Sequence, residues 1–547
     1  MALTGNISGS NMEPPSGGAP KMTPAQASGF LARGYKAMQR GDFKEAGGCC
    51  SLVLKYFPDA KEAHFLVGLI GIESGDWATA KRAFRNVVSL DESHAAGWAQ
   101  LARCCVTMGQ YNLAEKALQN AMANKPEDPL VLDVIGNVHS LLGDQVEALC
   151  WFDRAKAKAK SSFFDLSRAK ALTFLGRLDE AREALEAVLR EKPDAAIAHW
   201  MISRLETVTD HTHLNVMQEI AARIPSGHPD ASFLHYAIGK EFEDLSEWDE
   251  AFSAYEAGAK ARRAHVTFDE AEETRLFETL EATLTPEWFE RQATAGFDDA
   301  FPIFVVGQPR TGTTLIERII TAHSDVESAG ELQQFAMAMK RVSETSSPRP
   351  MTPEIVEKIA KGDMKALGQL YLETTKTVRG SSAHFVDKLP VNYLYVPLIV
   401  AALPNAKIIH IVRDPMDSCF ASYKQLFADA YYHSYDQEEM ARHHVRYRNL
   451  MAQWREVVGP RMLDVVYEDT VADLEPNARK IIDFLGLEWQ DACLSFHEQK
   501  SAVTTASAAQ VRERAHTRSV GRWKNFEQHL GPMQSVLINA DLTERSA

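Results

Sequence analysis

The sequence predicts an α-helical superhelix of repeated hairpins followed by an α/β domain with a central parallel sheet. Three observations predict it. Glycines recur at a fixed interval through the first half. An apolar run from Phe301 to Val306 ends in a glycine-framed loop that leads into a helical pattern. A second apolar run, Ile408 to Val412, reads as another buried strand and ends on an arginine.

At 547 residues the chain exceeds what one hydrophobic core serves, since domains of roughly 150 residues are usual. Its 45% hydrophobic and 24% charged residues are those of an ordinary globular protein, which confines disorder to the ends. Residues 1–25, rich in Gly, Ser and Pro, read as a disordered tail and lack the apolar run of a secretory signal. No stretch reaches the roughly 20 apolar residues that a membrane-spanning helix needs, and the run from Val396 to Leu403 contains Pro397. The seven cysteines read as reduced, mostly buried thiols, which points to a cytoplasmic compartment. A formal charge of −15 counts against nucleic acid and anionic membrane as partners, so any anion site has to be assembled locally.

The repeats come first. Gly41, Gly75, Gly109 and Gly143 are 34 residues apart, Gly176 follows after 33, and an alanine stands five residues beyond each: Ala46, Ala80, Ala114, Ala148 and Ala181. A glycine in the turn takes positive φ as one helix ends, and an alanine lets the next helix approach its partner closely. Pro58, Pro126 and Pro193 fall near the ends of units, and Trp248-Asp-Glu-Ala251 looks like a degenerate later copy. The segments RGDFKEA, SGDWATA, MGQYNLA and LGRLDEA resemble the tetratricopeptide repeat, over residues 26–265. Such a solenoid offers a groove for a peptide, another hydroxyl-bearing acceptor or a partner protein, and it carries no chemistry of its own.

Residues 266–300 read as a helical connector, 301–530 as the α/β domain and 531–547 as a C-terminal tail. At the start of the α/β domain, Gly307-Gln-Pro-Arg-Thr-Gly-Thr-Thr314 follows the first strand. Leu315, Ile316, Ile319 and Ile320 then recur at helical spacing, so the loop wraps into a helix N-terminus whose N–H groups face an anion. The spacing of Gly307 and Gly312 matches the nucleoside-triphosphate loop, but Thr313 stands where that loop requires lysine and Arg310 lies inside instead. A kinase or ATPase is therefore disfavoured.

The run VVGQPRTGTTLIERII resembles the 5′-phosphosulfate loop of sulfotransferases that use 3′-phosphoadenosine 5′-phosphosulfate (PAPS), and TAHSDVESAGEL resembles their tyrosylprotein branch. The resemblance continues in order through FVDKLPVNY, IIHIVRDPMDSCFASY, VVYEDTV and SVGRWKNF. It implies PAPS as co-substrate and no metal. By this resemblance Arg310, Thr311, Gly312, Thr313 and Thr314 cradle the phosphosulfate, and Arg413 binds the 3′-phosphate. Glu331 is the general base on the acceptor hydroxyl, Lys388 stabilises the leaving oxygen, and Tyr467 and Ser507 contact the nucleotide or the transferred group. Arg522, in the late element, assists at the phosphates. The family places a serine eight residues beyond the arginine; here that position is Ala421 and Ser422 comes one later, which leaves Ser422 and Ser418 as alternatives. Two functional readings follow: an enzyme sulfating a hydroxyl, with protein tyrosine and carbohydrate both open, or a repeat scaffold whose second domain binds nucleotide with weak turnover. His323, His384 and His410 read as turn or strand packing, and no Cys/His set has zinc spacing.

Overall fold

A computed structural model describes residues 22–542 apart from 160, 293–294, 298–300, 346, 348, 383, 428–429, 500 and 506–509. All but the last few residues of the expected N-terminal tail lie outside the described residues. The chain divides into two compact units, one holding everything up to Met108 together with Lys116–Pro126, the other holding Gly109–Glu115 and everything from Glu127 onward.

In the first unit, helices Pro24–Gln39 and Phe43–Tyr56 form one hairpin, Lys61–Glu73 and Trp77–Leu90 a second, and Ala95–Thr107 begins a third. Side chains terminate them: Thr23 forms a capping box with Gln26, and Asp42 and Asp76 accept from N–H groups in the first turn of the helices they precede. In the second unit the hairpins are Pro129–Leu141 with Gln145–Lys158, Phe163–Leu175 with Leu178–Glu191, the shorter Ala196–Ser203 with Thr212–Ala221, and Asp230–Asp244 with Trp248–Arg263. All five periodic glycines have φ between +62° and +95°, and the five alanines after them are fully buried.

The second domain is built on five parallel strands: β1 (Phe301–Gly307), β2 (Val326–Ser328), β3 (His384–Asp387), β4 (Lys407–Val412) and β5 (Met462–Val466), in the order β2-β3-β1-β4-β5. Because β1 lies between β3 and β4, the strand order reverses at its carboxyl end, the place where open sheets of this kind leave a crevice. Alternation along β1 fills two cores. Phe304 and Val306 face Phe335, Tyr371, Leu398 and Trp454, while Ile303 and Val305 face Ile316, Ile319, Ile481 and Ile482.

Two segments without strands are integral to this domain. Helices Glu270–Thr283 and Pro286–Arg291 occupy the connector region and bury Phe277, Leu280, Leu284 and Trp288 in the Phe304 core. The stretch after 530, expected as a tail, forms helix Gly531–Asn539 with Met533 and Leu537 buried, because its apolar side chains cover Phe252, Phe420 and Phe526. All seven cysteines are free thiols, with only Cys150 exposed. Among the described residues no helix is long and apolar enough to cross a membrane.

Candidate active site

Chain geometry at the end of β1 forces a tight loop. Gly307, Arg310 and Gly312 all have positive φ, and helix Thr313–Thr321 starts directly after Gly312. Thr311 turns its hydroxyl inward onto the Gln308 carbonyl at 2.7 Å. Thr313 and Thr314 are buried in the first turn of the helix, and the Thr314 hydroxyl meets that of Thr505 at 3.4 Å. Burial holds the Arg310 guanidinium down at about 10, and the neighbouring Arg204 and Arg413 guanidiniums push the same way. Three cations thus gather around one loop, an arrangement suited to a multiply charged anion.

β4 delivers Arg413 to the back of this loop. Its Nη1 donates to the Arg310 carbonyl at 2.7 Å, its Nη2 to the Ser519 carbonyl at 2.5 Å, and its guanidinium lies 4.8 Å over the Tyr467 ring. Tyr467 in turn packs on Gly312, where a Cβ would lie 2.5 Å from its ring. Ser422 donates to the Pro309 carbonyl at 3.2 Å and so braces the loop from helix Pro415–Tyr423, whereas the buried Ser418 hydroxyl has no hydrogen-bond partner among the described residues.

The loop after β2 and the end of β3 bring Glu331 and Lys388 together. The Lys388 N–H donates to the Gly330 carbonyl at 2.9 Å, which sets the two side chains alongside each other. The buried Lys388 ammonium donates to Glu331 Oε1 and lies 3.8 Å from Glu317 Oε2. Burial works to lower this ammonium, but the Glu331 and Glu317 carboxylates overcome it and leave Lys388 above the ordinary lysine value. Burial raises Glu317 above the usual carboxylate range, against the pull of Lys388 and of the Ser328 hydroxyl that donates to it at 2.6 Å. Beside Lys388, Asp387 is fully buried and pushed by burial up to about 8, although it accepts from the Tyr371 hydroxyl at 2.9 Å and Asn392 at 3.2 Å.

The late element brings Arg522 to the last hairpin. Its Nε donates to Glu243 at 2.9 Å and its guanidinium stacks 5.1 Å over Trp248. Ser507 lies outside the described residues. Sequence reasoning overlooked Glu317, Asp387, Asp417 and Arg204. Asp417 had a readable signal, since it follows Arg413 by one helical turn and accepts from the Gly521 and Trp523 N–H groups at 2.6 and 3.1 Å. Glu317 had none, because a Glu-Arg pair on a helix reads as a solvated face. Of the histidines, His410 bridges Asp464 and Tyr447, and His323 faces the Glu488 carbonyl. Away from the site, Glu273, His433 and His443 bring ligand atoms within 4.8 Å of one another, but Arg446 already pairs with Glu273 at 2.5 Å and supplies the countercharge.

Fold and site together define an α/β domain with an arginine-bearing glycine-framed loop at the carboxyl end of its sheet beside a lysine–carboxylate pair. Residues 302–491 match the sulfotransferase family model, and residues 72–137 and 166–207 match tetratricopeptide-repeat models. The chain therefore carries tetratricopeptide repeats in its N-terminal half and a sulfotransferase-family domain in its C-terminal half. It is 27% identical over 373 residues to an uncharacterized protein of Aquifex aeolicus (strain VF5), an alignment covering 67% of this chain and 49% of that one. The chain thus spans about half the length of that relative. A putative protein-tyrosine sulfotransferase of Caenorhabditis briggsae is 25% identical over 40% of this chain and 80% of its own. The protein-tyrosine sulfotransferase of Drosophila melanogaster is 28% identical over 36% of this chain and 40% of its own. Among solved structures, a thermophilic TPR protein of Thermus thermophilus aligns with 33% of this chain and 98% of its own at 19% identity and a TM-score of 0.31.

Proposed function

We propose that the protein is a cytoplasmic sulfotransferase that moves a sulfuryl group from PAPS to an acceptor hydroxyl, with the repeats engaging the acceptor or a partner protein. One observation carries the reading: a glycine-framed loop with Arg310, Arg413 and Arg204 around it lies at the same carboxyl end of the sheet as the Lys388–Glu331 pair. Loop N–H groups, Thr311, Thr313, Thr314 and Arg310 take the 5′-phosphosulfate, and Arg413 with Ser422 or Ser418 takes the 3′-phosphate. The acceptor oxygen attacks sulfur while its proton passes to Glu331. The S–O bond to the 5′-phosphate breaks with its electron pair, and Lys388 and Arg310 stabilise the charge that grows on the leaving oxygen. Lys388 is held by Glu331 Oε1, so its move to the leaving oxygen frees that carboxylate to act as base. Tyr467, Ser507 and Arg522 belong to the nucleotide side.

Transfer of labelled sulfate from PAPS to tyrosyl peptides and oligosaccharides tests this. Turnover with one acceptor class, reduced about 100-fold or more in Glu331→Gln with PAPS binding retained, supports the reading. Turnover unchanged in Glu331→Gln removes Glu331 as base, and no transfer to either class despite bound PAPS removes both acceptors.

A further inference from the structure

The closing element Ser519–Phe526 is held from three directions, and one of them is the repeat array. Arg413 donates to the Ser519 carbonyl, and Asp417 accepts from the Gly521 and Trp523 N–H groups. The third set of contacts comes from the last hairpin. Glu243, near the end of helix Asp230–Asp244, is 7% exposed and accepts at one oxygen from Arg522 Nε at 2.9 Å and Lys424 Nζ at 2.5 Å. Tyr255, across the hairpin, donates to its other oxygen at 2.7 Å. Trp248 stacks on the Arg522 guanidinium and, edge to face, on Phe526, while Asp249 binds His529 at 2.7 Å.

A carboxylate this buried is costly unless each oxygen is satisfied, and here all of its partners are in place. Two of those partners are cations on elements that flank the phosphate loop: Lys424 directly follows the helix that carries Ser422, and Arg522 stands three residues from the carbonyl that Arg413 grips. Burial lowers the Lys424 ammonium, and the Arg522 and Arg310 guanidiniums push the same way. Without an anion at Glu243, mutual repulsion would drive Arg522 and Lys424 apart.

We infer that the last helical hairpin is part of the donor-binding apparatus, with Glu243 a positioning residue that holds Arg522 and Lys424 for the 3′-phosphate end of the nucleotide. The inference rests on the PAPS reading above. It makes the repeats a structural requirement for donor affinity as well as a surface for acceptors or partners.

Calorimetric titration of the full chain with 3′-phosphoadenosine 5′-phosphate tests it, on wild type, Glu243→Gln, Glu243→Asp and Tyr255→Phe. Charge-assisted bonds are about twice as strong as neutral ones. The expected result is therefore a Kd raised at least about tenfold in Glu243→Gln, partly restored in Glu243→Asp, and raised about threefold in Tyr255→Phe. Tyr255→Phe keeps the ring and the core, so it remains informative should Glu243→Gln fail to fold. Wild-type binding with every folded variant within twofold of it overturns the inference and leaves the sulfotransferase reading standing. Absence of wild-type binding overturns that reading, and the inference with it.

Discussion

Gly312 carries two constraints at once. Its φ of +105° is a conformation L side chains rarely adopt, and a Cβ there would lie 2.5 Å from the Tyr467 ring that stacks under Arg413. Gly312→Ala is expected to cost about 1–3 kcal/mol in stability. It should also weaken nucleotide binding, as read by thermal unfolding and calorimetry on the same sample. Lys388→Ala removes the cation shared by Glu331 and Glu317, and a fall in kcat of about 100- to 1,000-fold is expected from losing a donor aimed at developing charge. Asp387 gives a pH signature. A carboxyl whose folded pKa lies above its unfolded value binds more protons when folded, so its contribution is greatest below about pH 4 and is lost as pH rises. With Asp387 raised to about 8, stability should decline from about pH 4 up to that value and level off above it. Asp387→Asn should flatten the decline in urea titrations at pH 6, 7, 8 and 9; an unchanged slope would reassign it.

At the scale of elements, the repeat turns and β1 were legible because backbone geometry dictates residue type. Only glycine suits φ near +75° at Gly41, Gly75 and Gly176, and only a small side chain fits where Ala46 or Ala181 is fully buried. Gly136 obeys the same logic without belonging to the period, since a Cβ there would lie 2.5 Å from the Phe152 ring. Gly136→Val should therefore lower the melting temperature through overpacking of about 1–3 kcal/mol, with nucleotide affinity intact once folded. Positions set by distant contacts were not legible. Arg522 was assigned to the phosphates by the resemblance of SVGRWKNF, but that its Nε pairs with Glu243, 279 residues earlier, could not be read, because no local pattern links the two. The Ala421 departure was visible, but that Ser422 would brace Pro309 required the helix to be seen. Glu243 also sets an acid limit. Burial opposes its ionisation, but Lys424 and Arg522 outweigh burial and hold it at about 2. Its contribution is present above about pH 4.5 and is lost as pH falls towards 2.

Across the whole molecule, the last hairpin, helix Pro415–Tyr423 and the C-terminal helix share one core through Leu234, Tyr236, Phe252, Phe420, Phe526, Leu530 and Met533. They should open together: removing residues 531–547 is expected to raise hydrogen exchange in Asp230–Asp244 and in Pro415–Tyr423 alike, while helices Pro24–Gln39 and Phe43–Tyr56 of the other unit keep their protection. Whether the loop at β1 takes PAPS rather than a nucleoside triphosphate is decided by calorimetry of the wild-type chain and Arg413→Ala with 3′-phosphoadenosine 5′-phosphate and with ATP. Tight binding of the bisphosphate, weak binding of ATP and loss of bisphosphate affinity in Arg413→Ala is the predicted result; equal affinity for both nucleotides, or an Arg413→Ala variant that binds like wild type, would contradict it.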